Sequence, residues 1–224
     1  MDLPNVIILL GPPGAGKGTQ SAVLQRELNI PAISTGEVLR AEVAAGTPLG
    51  QRVKETLGSG RLASDDLVNE VVAAQLGQPT FDRGFVLDGY PRTVNQARFL
   101  DELLTNRGFP EPLVLHLEAD EETIFARLAA RRQCPCCRRI YNQILRPSRD
   151  GVTCDFDGTP LIIREDDKES VIRDRLKAYR EMSEPLIDFY RPRNYISIDG
   201  NLPPETVFEM LRPHLVAHVA QVKR

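Results

Sequence analysis

The stretch that decides the fold is VIILL at residues 6–10, followed directly by GPPGAGKGT at residues 11–19. A short apolar run that ends at a glycine is typical of a buried strand. A helix is expected to begin after the loop, near Gly18 and Thr19. Backbone N–H groups of such a loop, the positive end of a helix dipole and the charge of Lys17 together suit a bound phosphate. The alternative is a glycine-rich turn with an incidental lysine, but strand, loop, lysine and helix follow one another here in the required order.

The phosphate loop departs from its commonest form at one position. A hydroxyl residue usually follows the lysine and holds magnesium. Here Gly18 follows Lys17, and Thr19 comes one residue later. This replacement argues against a generic GTPase or motor ATPase. The residues expected to hold nucleotide phosphates are Gly14, Ala15, Gly16, Lys17, Gly18 and Thr19.

Strand-like and helical patterns alternate along the chain. Further strands are predicted at Ala32–Ser34, Phe85–Asp88, Val114–Leu117 and Tyr195–Ile198. Helices are predicted at Thr19–Leu28, Gly36–Ala45, Asp65–Leu76, Thr93–Asn106, Glu121–Arg132, Lys168–Tyr190 and Pro204–Val219. Such alternation predicts an α/β fold with a five-stranded parallel sheet and helices on both faces. Ligands of such sheets bind beyond the carboxyl ends of the strands, where Gly11, Thr35, Asp88 and Asp199 lie.

Composition is that of an ordinary globular protein. The chain has 224 residues, 42% hydrophobic and 26% charged, which favours one main domain with an insertion. A net charge of −3 gives no reason to expect nucleic acid or an acidic membrane as partner. No secretory signal is visible, and the run at residues 6–10 is too short to span a membrane, so a cytoplasmic location is expected.

Several motifs together resemble the adenylate kinase family over essentially the whole length of the chain. They are the loop GPPGAGKGT at 11–19, ISTGE at 33–37 with Arg40, DGYPRT at 88–93 with Gln96, and REDD at 164–167 with Arg175. Tyr90 stands where that family usually has Phe, a neutral aromatic exchange. The resemblance implies a P-loop nucleoside monophosphate kinase fold and the reversible reaction ATP + AMP = 2 ADP, which maintains adenine nucleotide balance. It also implies a monomer that uses Mg²⁺ with ATP.

The resemblance assigns residues to two nucleotide sites. AMP is expected at Thr35, Arg40, Arg61, Leu62, Ala63, Gly89, Tyr90, Pro91, Arg92, Gln96, Arg164 and Arg175. ATP is expected at the phosphate loop and at Arg127, Arg131, Ile140, Tyr141 and the backbone of Leu202. The residues expected to act in catalysis are Lys17, Asp88, Arg92, Arg131, Arg164 and Arg175. Phosphoryl transfer crowds many negative oxygens together, so several fixed cations must gather at one place.

Two of these assignments have specific alternatives. Arg127 and Arg131 are four apart on a predicted helix and would share one face, although such a pair can also be solvated. Asp88 is expected to order magnesium through water, although a strand-end aspartate can merely cap a turn. Thr35 and Gln96 are expected to contact the adenine or the sugar of AMP.

A cysteine-rich segment interrupts the helical pattern. CPCC at 134–137 and CDFDG at 154–158 form two turns, each with ligands separated by two residues. This is the spacing of a structural zinc site, with Cys134, Cys137, Cys154 and Asp157 as ligands. Cys136 falls outside the register and is expected to be a free thiol. Arg138 stands where a glycine often follows such a turn, and the alternative is a metal-free segment held by hydrogen bonds.

The expected organisation is a core with two mobile inserts. The core comprises residues 1–129 and 168–224, the AMP-binding insert comprises residues 34–63, and the zinc-bearing lid comprises residues 130–167. The lid is expected to close over ATP and expel water, because hydrolysis would compete with transfer.

Other functions remain open from the sequence. A uridylate or cytidylate kinase is disfavoured by the long lid and Gln96, whereas a GTP:AMP phosphotransferase would differ mainly in the donor base. A zinc-ribbon nucleic-acid-binding ATPase could use lid arginines at Arg138, Arg139, Arg146 and Arg149. That function conflicts with the negative net charge and leaves Arg92 and Gln96 without a role.

Overall fold

The computed structural model describes residues 5–222. The ends of the expected core, residues 1–4 and 223–224, lie outside this range. Within it, no helix is both long and apolar enough to cross a membrane.

The main sheet has five parallel strands in the order β2-β3-β1-β4-β7. They are β1 Asn5–Leu10, β2 Ala32–Ser34, β3 Gly84–Asp88, β4 Leu113–Glu118 and β7 Tyr195–Asp199. A second, antiparallel pair within the predicted lid segment consists of β5 Arg131–Gln133 and β6 Ile140–Asn142. The predicted five-stranded parallel sheet is therefore confirmed.

Helices cover both faces of this sheet. They are α1 Lys17–Leu28, α2 Thr35–Ala45, α3 Pro48–Gly58, α4 Asp65–Leu76, α5 Val94–Asn106, α6 Glu121–Ala129, α7 Glu169–Ala178, α8 Pro185–Tyr190 and α9 Pro204–Val222. Val6 and Ile8 of β1 belong to one apolar core, and Ile7 and Leu9 belong to the other. Because alternate residues of a strand point to opposite faces, a central strand buried on both sides must be apolar throughout.

The predicted helix Glu121–Arg132 is too long. The helix α6 ends at Ala129, and Arg131–Gln133 pairs with Ile140–Asn142 as a β-hairpin. The prediction that Arg127 and Arg131 share one helix face is therefore wrong. In this segment, hydrogen bonds to the neighbouring strand override the helix that the local sequence pattern favours.

One α-helix of the described residues was not predicted. It is α3, and its N-terminus is capped by Thr47, whose Oγ1 accepts a hydrogen bond from Gly50 N–H at 3.0 Å. The sequence did carry the signal, because Thr47 followed by Pro48 is a typical helix start.

The predicted helix Lys168–Tyr190 is interrupted. After α7, the residues Tyr179–Ser183 form a π-helical turn, and α8 begins at Pro185. Proline lacks the N–H that a continuous helix would require, so the regular helical hydrogen bonds are interrupted in the turn before Pro185.

Candidate active site

The phosphate loop connects β1 to α1 and is held by close backbone contacts. A Cβ on Gly11, which has φ 134°, would lie 2.3 Å from the carbonyl oxygen of Leu117, so only glycine fits there. Lys17 folds back over the loop, and its Nζ donates to the carbonyls of Gly11 at 2.7 Å and Pro12 at 2.8 Å. Burial lowers the pKa of Lys17 to about 7. Phosphate oxygens nearby would therefore favour its charged form strongly.

Asp88 ends β3 beside this loop. Burial raises the pKa of its carboxyl, whereas the charges of Lys17 and Arg92 act in the opposite direction. A Cβ on Gly18 would lie 3.4 Å from Asp88 Oδ2, an ordinary contact distance, so the carboxylate lies directly beside the start of α1. A carboxylate beside a phosphate loop suits Mg²⁺, which prefers oxygen ligands and keeps several waters.

Most of the predicted cations lie around one cleft of about 1660 Å³. Those that line it are Lys17, Arg40, Arg92, Arg127, Arg131, Arg164 and Arg175. Arg131 pairs with Asp167, with an Nε to Oδ2 distance of 2.6 Å. Arg175 Nη1 lies 3.0 Å from Asp167 and 3.2 Å from Asp166. The hairpin that removed Arg131 from the helix thus places its guanidinium beside that of Arg175.

Crowding of these cations favours an anionic ligand. Burial lowers the pKa of Arg92 to about 10, and the charges of Arg175 and Arg40 lower it too. The pKa of Arg164 is also about 10, through burial and then the charges of Arg40 and Arg131. Guanidinium groups stay protonated at such values, so the lowered pKa expresses unfavourable desolvation and mutual repulsion. A bound anion would relieve both.

A small pocket opens beside the arginines, at the α2, α4 and α5 helices. It brings together most of the residues predicted to bind AMP, namely Thr35, Arg61, Leu62, Ala63, Gly89, Arg92 and Gln96. Thr35 Oγ1 donates to the carbonyl of Gly89 at 2.9 Å. Pro91 lines the adjoining cleft, but Tyr90 is fully buried, and its hydroxyl donates to Asn69 Oδ1 at 2.6 Å.

Gln96 is 1% exposed, and protein contacts on both sides fix its amide. Its Oε1 accepts from the backbone N–H of Arg92 at 2.7 Å, and its Nε2 donates to Asp65 Oδ1 at 2.8 Å. One donor and one acceptor position remain free on the amide. That pair complements the 6-amino edge of adenine, which offers a donor beside an acceptor.

The residues predicted to bind ATP also line the cleft. Arg127 donates to the carbonyls of Gly200 at 2.6 Å and Asn201 at 3.0 Å, and more distantly to that of Leu202. Ile140, Tyr141 and Leu202 also line the cleft. The hydroxyl of Tyr141 is directed away, toward Cys154 Sγ at 3.4 Å.

The two cysteine turns of the predicted lid segment face each other. Ligand atoms of Cys134, Cys137, Cys154 and Asp157 all lie within 4.8 Å of one another. A tetrahedral zinc with Zn–S bonds of about 2.3 Å sets its ligand atoms roughly 3.8 Å apart. The Thr159 backbone N–H holds the pKa of the Asp157 carboxyl below its usual range, so this ligand is ionised. The cluster could therefore hold a metal ion, whereas Cys136 is exposed and lies outside it.

The two turns have the same backbone geometry but different residues at one position. Arg138 N–H donates to the Cys134 carbonyl, as Gly158 N–H donates to that of Cys154. Both residues are left-handed, with φ of 64° for Arg138 and 72° for Gly158. An arginine in this conformation costs roughly 1–2 kcal/mol relative to glycine.

Sequence reasoning missed several residues that position the site. Glu37, Asp166 and Asp167 pair with the arginines, and Asp65 holds Gln96. Ser183, in the π-helical turn, donates to the carbonyl of Arg92 at 2.9 Å. Glu37, Asp166 and Asp167 stood inside the quoted motifs and Asp65 began a predicted helix, but nothing in the local sequence indicated Ser183.

These features define the class of protein: a P-loop enzyme of the nucleoside monophosphate kinase fold. A model of the family described as adenylate kinase matches residues 9–195. The chain belongs to the adenylate kinase family.

Adenylate kinases from other organisms are similar in sequence to this chain over most of its length. An adenylate kinase from Fervidobacterium nodosum is 43% identical over 206 residues, which is 92% of this chain and 94% of the relative. One from Kosmotoga olearia is 44% identical over 210 residues, 93% of this chain and 98% of the relative. One from Pseudothermotoga lettingae is 47% identical over 190 residues, 85% of this chain and 88% of the relative.

Proposed function

We propose that the chain catalyses ATP + AMP = 2 ADP. The observation that carries the proposal is the convergence of half-buried cations on one cleft, between a phosphate loop and an adenine-complementary glutamine. Such a cleft suits two nucleotides whose phosphates meet. The family implies the nucleotide substrates ATP, AMP and ADP.

Transfer needs positioning and charge stabilisation more than covalent help from the protein. An oxygen of the AMP phosphate attacks the γ-phosphorus of ATP, and the bond to the β,γ-bridging oxygen breaks, which leaves two ADP molecules. Lys17 and the loop hold the ATP phosphates. Arg92 and Arg164 hold the AMP phosphate, while Arg131 and Arg175 stabilise the charge on the transferred group.

Magnesium bound with ATP would neutralise phosphate charge, and Asp88 is the residue that would order it through water. On the ATP side, Arg127, Ile140, Tyr141 and the backbone of Leu202 hold the base and the sugar. On the AMP side, Thr35 and Gln96 contact the base or the sugar, and Arg40 adds a further charge.

Residues 34–63 and 130–167 act as inserts that close over the core at residues 1–129 and 168–224. Support comes from a contact between the AMP-binding insert and the end of the lid, where Arg164 pairs with Glu37. Closure would expel water from the cleft and so favour transfer over hydrolysis.

The lid carries one structural zinc ion, held by Cys134, Cys137, Cys154 and Asp157. Four protein ligands leave no open position for water, so the metal supports the lid and takes no part in the chemistry. Both the ligand separation and the paired turns support this assignment.

Metal content is expected to respond differently to changes at three positions. Cys154→Ser and Asp157→Ala should reduce bound zinc, whereas Cys136→Ser, the matched control, should leave it at one per chain. A chelator should lower the melting temperature before it lowers kcat, by roughly 2–4 °C for each kcal/mol of lost stability. Elemental analysis and thermal melts measure both effects. A zinc-free wild type, purified with reduced thiols and without chelator, would end the proposal.

Base choice is expected to depend on Gln96. Gln96→Ala should lower kcat/KM for AMP by about 5–150-fold, because a pair of neutral hydrogen bonds to the base is lost, and should relax preference over CMP and UMP. Asn95→Ala, at an exposed neighbour on the same helix, is the control. If the Gln96 variant instead weakens the binding of ATP and leaves the choice of acceptor nucleotide unchanged, the AMP and ATP sites have been assigned in reverse.

A coupled assay across nucleotides tests the function itself. Donors ATP and GTP should be combined with acceptors AMP, CMP and UMP. Preference for ATP with AMP supports the proposal, whereas preference for GTP with AMP would identify a GTP:AMP phosphotransferase.

The protein acts as a cytoplasmic monomer without nucleic acid. The net charge of −3 supports the proposal that nucleic acid is not a partner. Sedimentation measures the oligomeric state. Salt-dependent binding of DNA or RNA would instead favour a nucleic-acid-binding ATPase.

A further inference from the structure

Arg138 has a side chain that its turn does not need. The paired turn uses Gly158 at the same position, with the same backbone hydrogen bond. Glycine adopts a left-handed conformation without strain, whereas arginine rarely does. The fold alone therefore gives no reason for a long cationic side chain at this place.

The position of Arg138 places its charge in the active-site cleft. It is half-buried and lines the cleft. The side chain of Gln133 joins it to the arginine cluster: Nε2 lies 3.3 Å from the Arg138 carbonyl, and Oε1 accepts from Arg164 Nε at 2.8 Å. Burial opposes ionisation of Glu37, but Arg40, Arg164 and then Arg138 hold its pKa below the usual range, which places all three charges near this carboxylate.

The guanidinium of Arg138 is free to bind a ligand. Among the side chains and carbonyls that the structure describes, it donates to none, and only its backbone groups are engaged. The neighbouring Arg139 differs, because its guanidinium stacks over the ring of Phe156 at 4.4 Å and lies on the exposed surface of the lid. Two adjacent arginines thus point to different environments.

We propose that Arg138 is a phosphate-binding residue, which donates from the lid to the phosphates of a nucleotide bound between the lid and the AMP-binding insert. A guanidinium offers a rigid fork of donors that matches phosphate oxygens. This role rests on the proposed function, since it requires nucleotides in that cleft. It adds one cation to the predicted set, at a position where the turn itself would favour glycine.

Calorimetry with two ligands tests the proposal directly. Arg138→Gly is expected to raise the Kd of ADP about tenfold, the effect of one lost charge-assisted contact. Binding of adenosine, which has the same base and sugar but no phosphate, should be unchanged. The melting temperature should be unchanged or higher, because strain at φ 64° is relieved. A residue that merely supported the turn would show the opposite change in stability.

Control variants distinguish the loss of a phosphate contact of Arg138 from a structural change in the lid. Arg139→Ala should leave ADP binding unchanged, and zinc content should be the same in all variants. Arg138→Asn is a second variant, since asparagine tolerates the left-handed region and carries no charge. It should weaken the binding of ADP, as Arg138→Gly does.

Two results would overturn the inference. Unchanged ADP binding in both variants would mean that Arg138 touches no phosphate. An equal loss of ADP and adenosine binding would mean that it acts through closure or folding. Absence of ATP–AMP transfer in the wild type would defeat the proposed function, but the difference between ADP and adenosine would still decide the role of Arg138.

Discussion

Lys17→Met is expected to lower kcat by about a thousandfold while the protein remains folded. The amine of Lys17 lies over the phosphate loop, 2.7 Å from the Gly11 carbonyl, where the ATP phosphates are expected. Its charge is needed most in the transition state, where negative charge accumulates during transfer. The fall in kcat should therefore be larger than the change in KM. Methionine is unbranched and of similar length, so it can occupy the same space.

Stability should respond little to this change. Burial lowers the pKa of Lys17 to about 7, so the folded protein gains nothing from the buried ammonium in the absence of a ligand. A coupled assay and a thermal melt, with the exposed Lys177→Met as control, measure both effects. Near-normal kcat in the folded variant would refute the assignment of the loop.

Arg92→Ala is expected to reduce kcat/KM for AMP by roughly 30- to 5000-fold, which corresponds to about 2–5 kcal/mol for a desolvated charged contact. Arg92 Nε donates to the Gly89 carbonyl at 2.8 Å, and the side chain lines both the cleft and the small pocket. Loss of the guanidinium should affect kcat as well as the use of AMP, because the AMP phosphate is the attacking group.

Arg98→Ala is the matched control, because Arg98 is exposed on α5, the helix that follows Arg92 in the chain. The KM for ATP should change less than the KM for AMP. A folded Arg92→Ala variant with kcat/KM for AMP within about threefold of wild type would exclude Arg92 from the acceptor site, since that is less than 1 kcal/mol.

Strand β1, the phosphate loop and the two cysteine turns could be predicted from the sequence alone. Each depends on residues close together in the chain, where side-chain period and ligand spacing carry the information. The apolar run 6–10 is buried on both faces of the sheet, as its composition predicted. The register of Cys134, Cys137, Cys154 and Asp157 likewise specified the cluster that the structure brings together.

The arrangement of charges was decided only by the tertiary structure. Arg131 left the predicted helix because its backbone pairs with Asn142, eleven positions later, and its side chain then reaches Asp167. Gln96 takes its orientation from Asp65 on another helix, and the left-handed turn at Arg138 directs a cation into the cleft. Local pattern specifies which elements form, but the partner of a buried charge depends on residues far away in the chain, because a desolvated charge must find its counterpart in space.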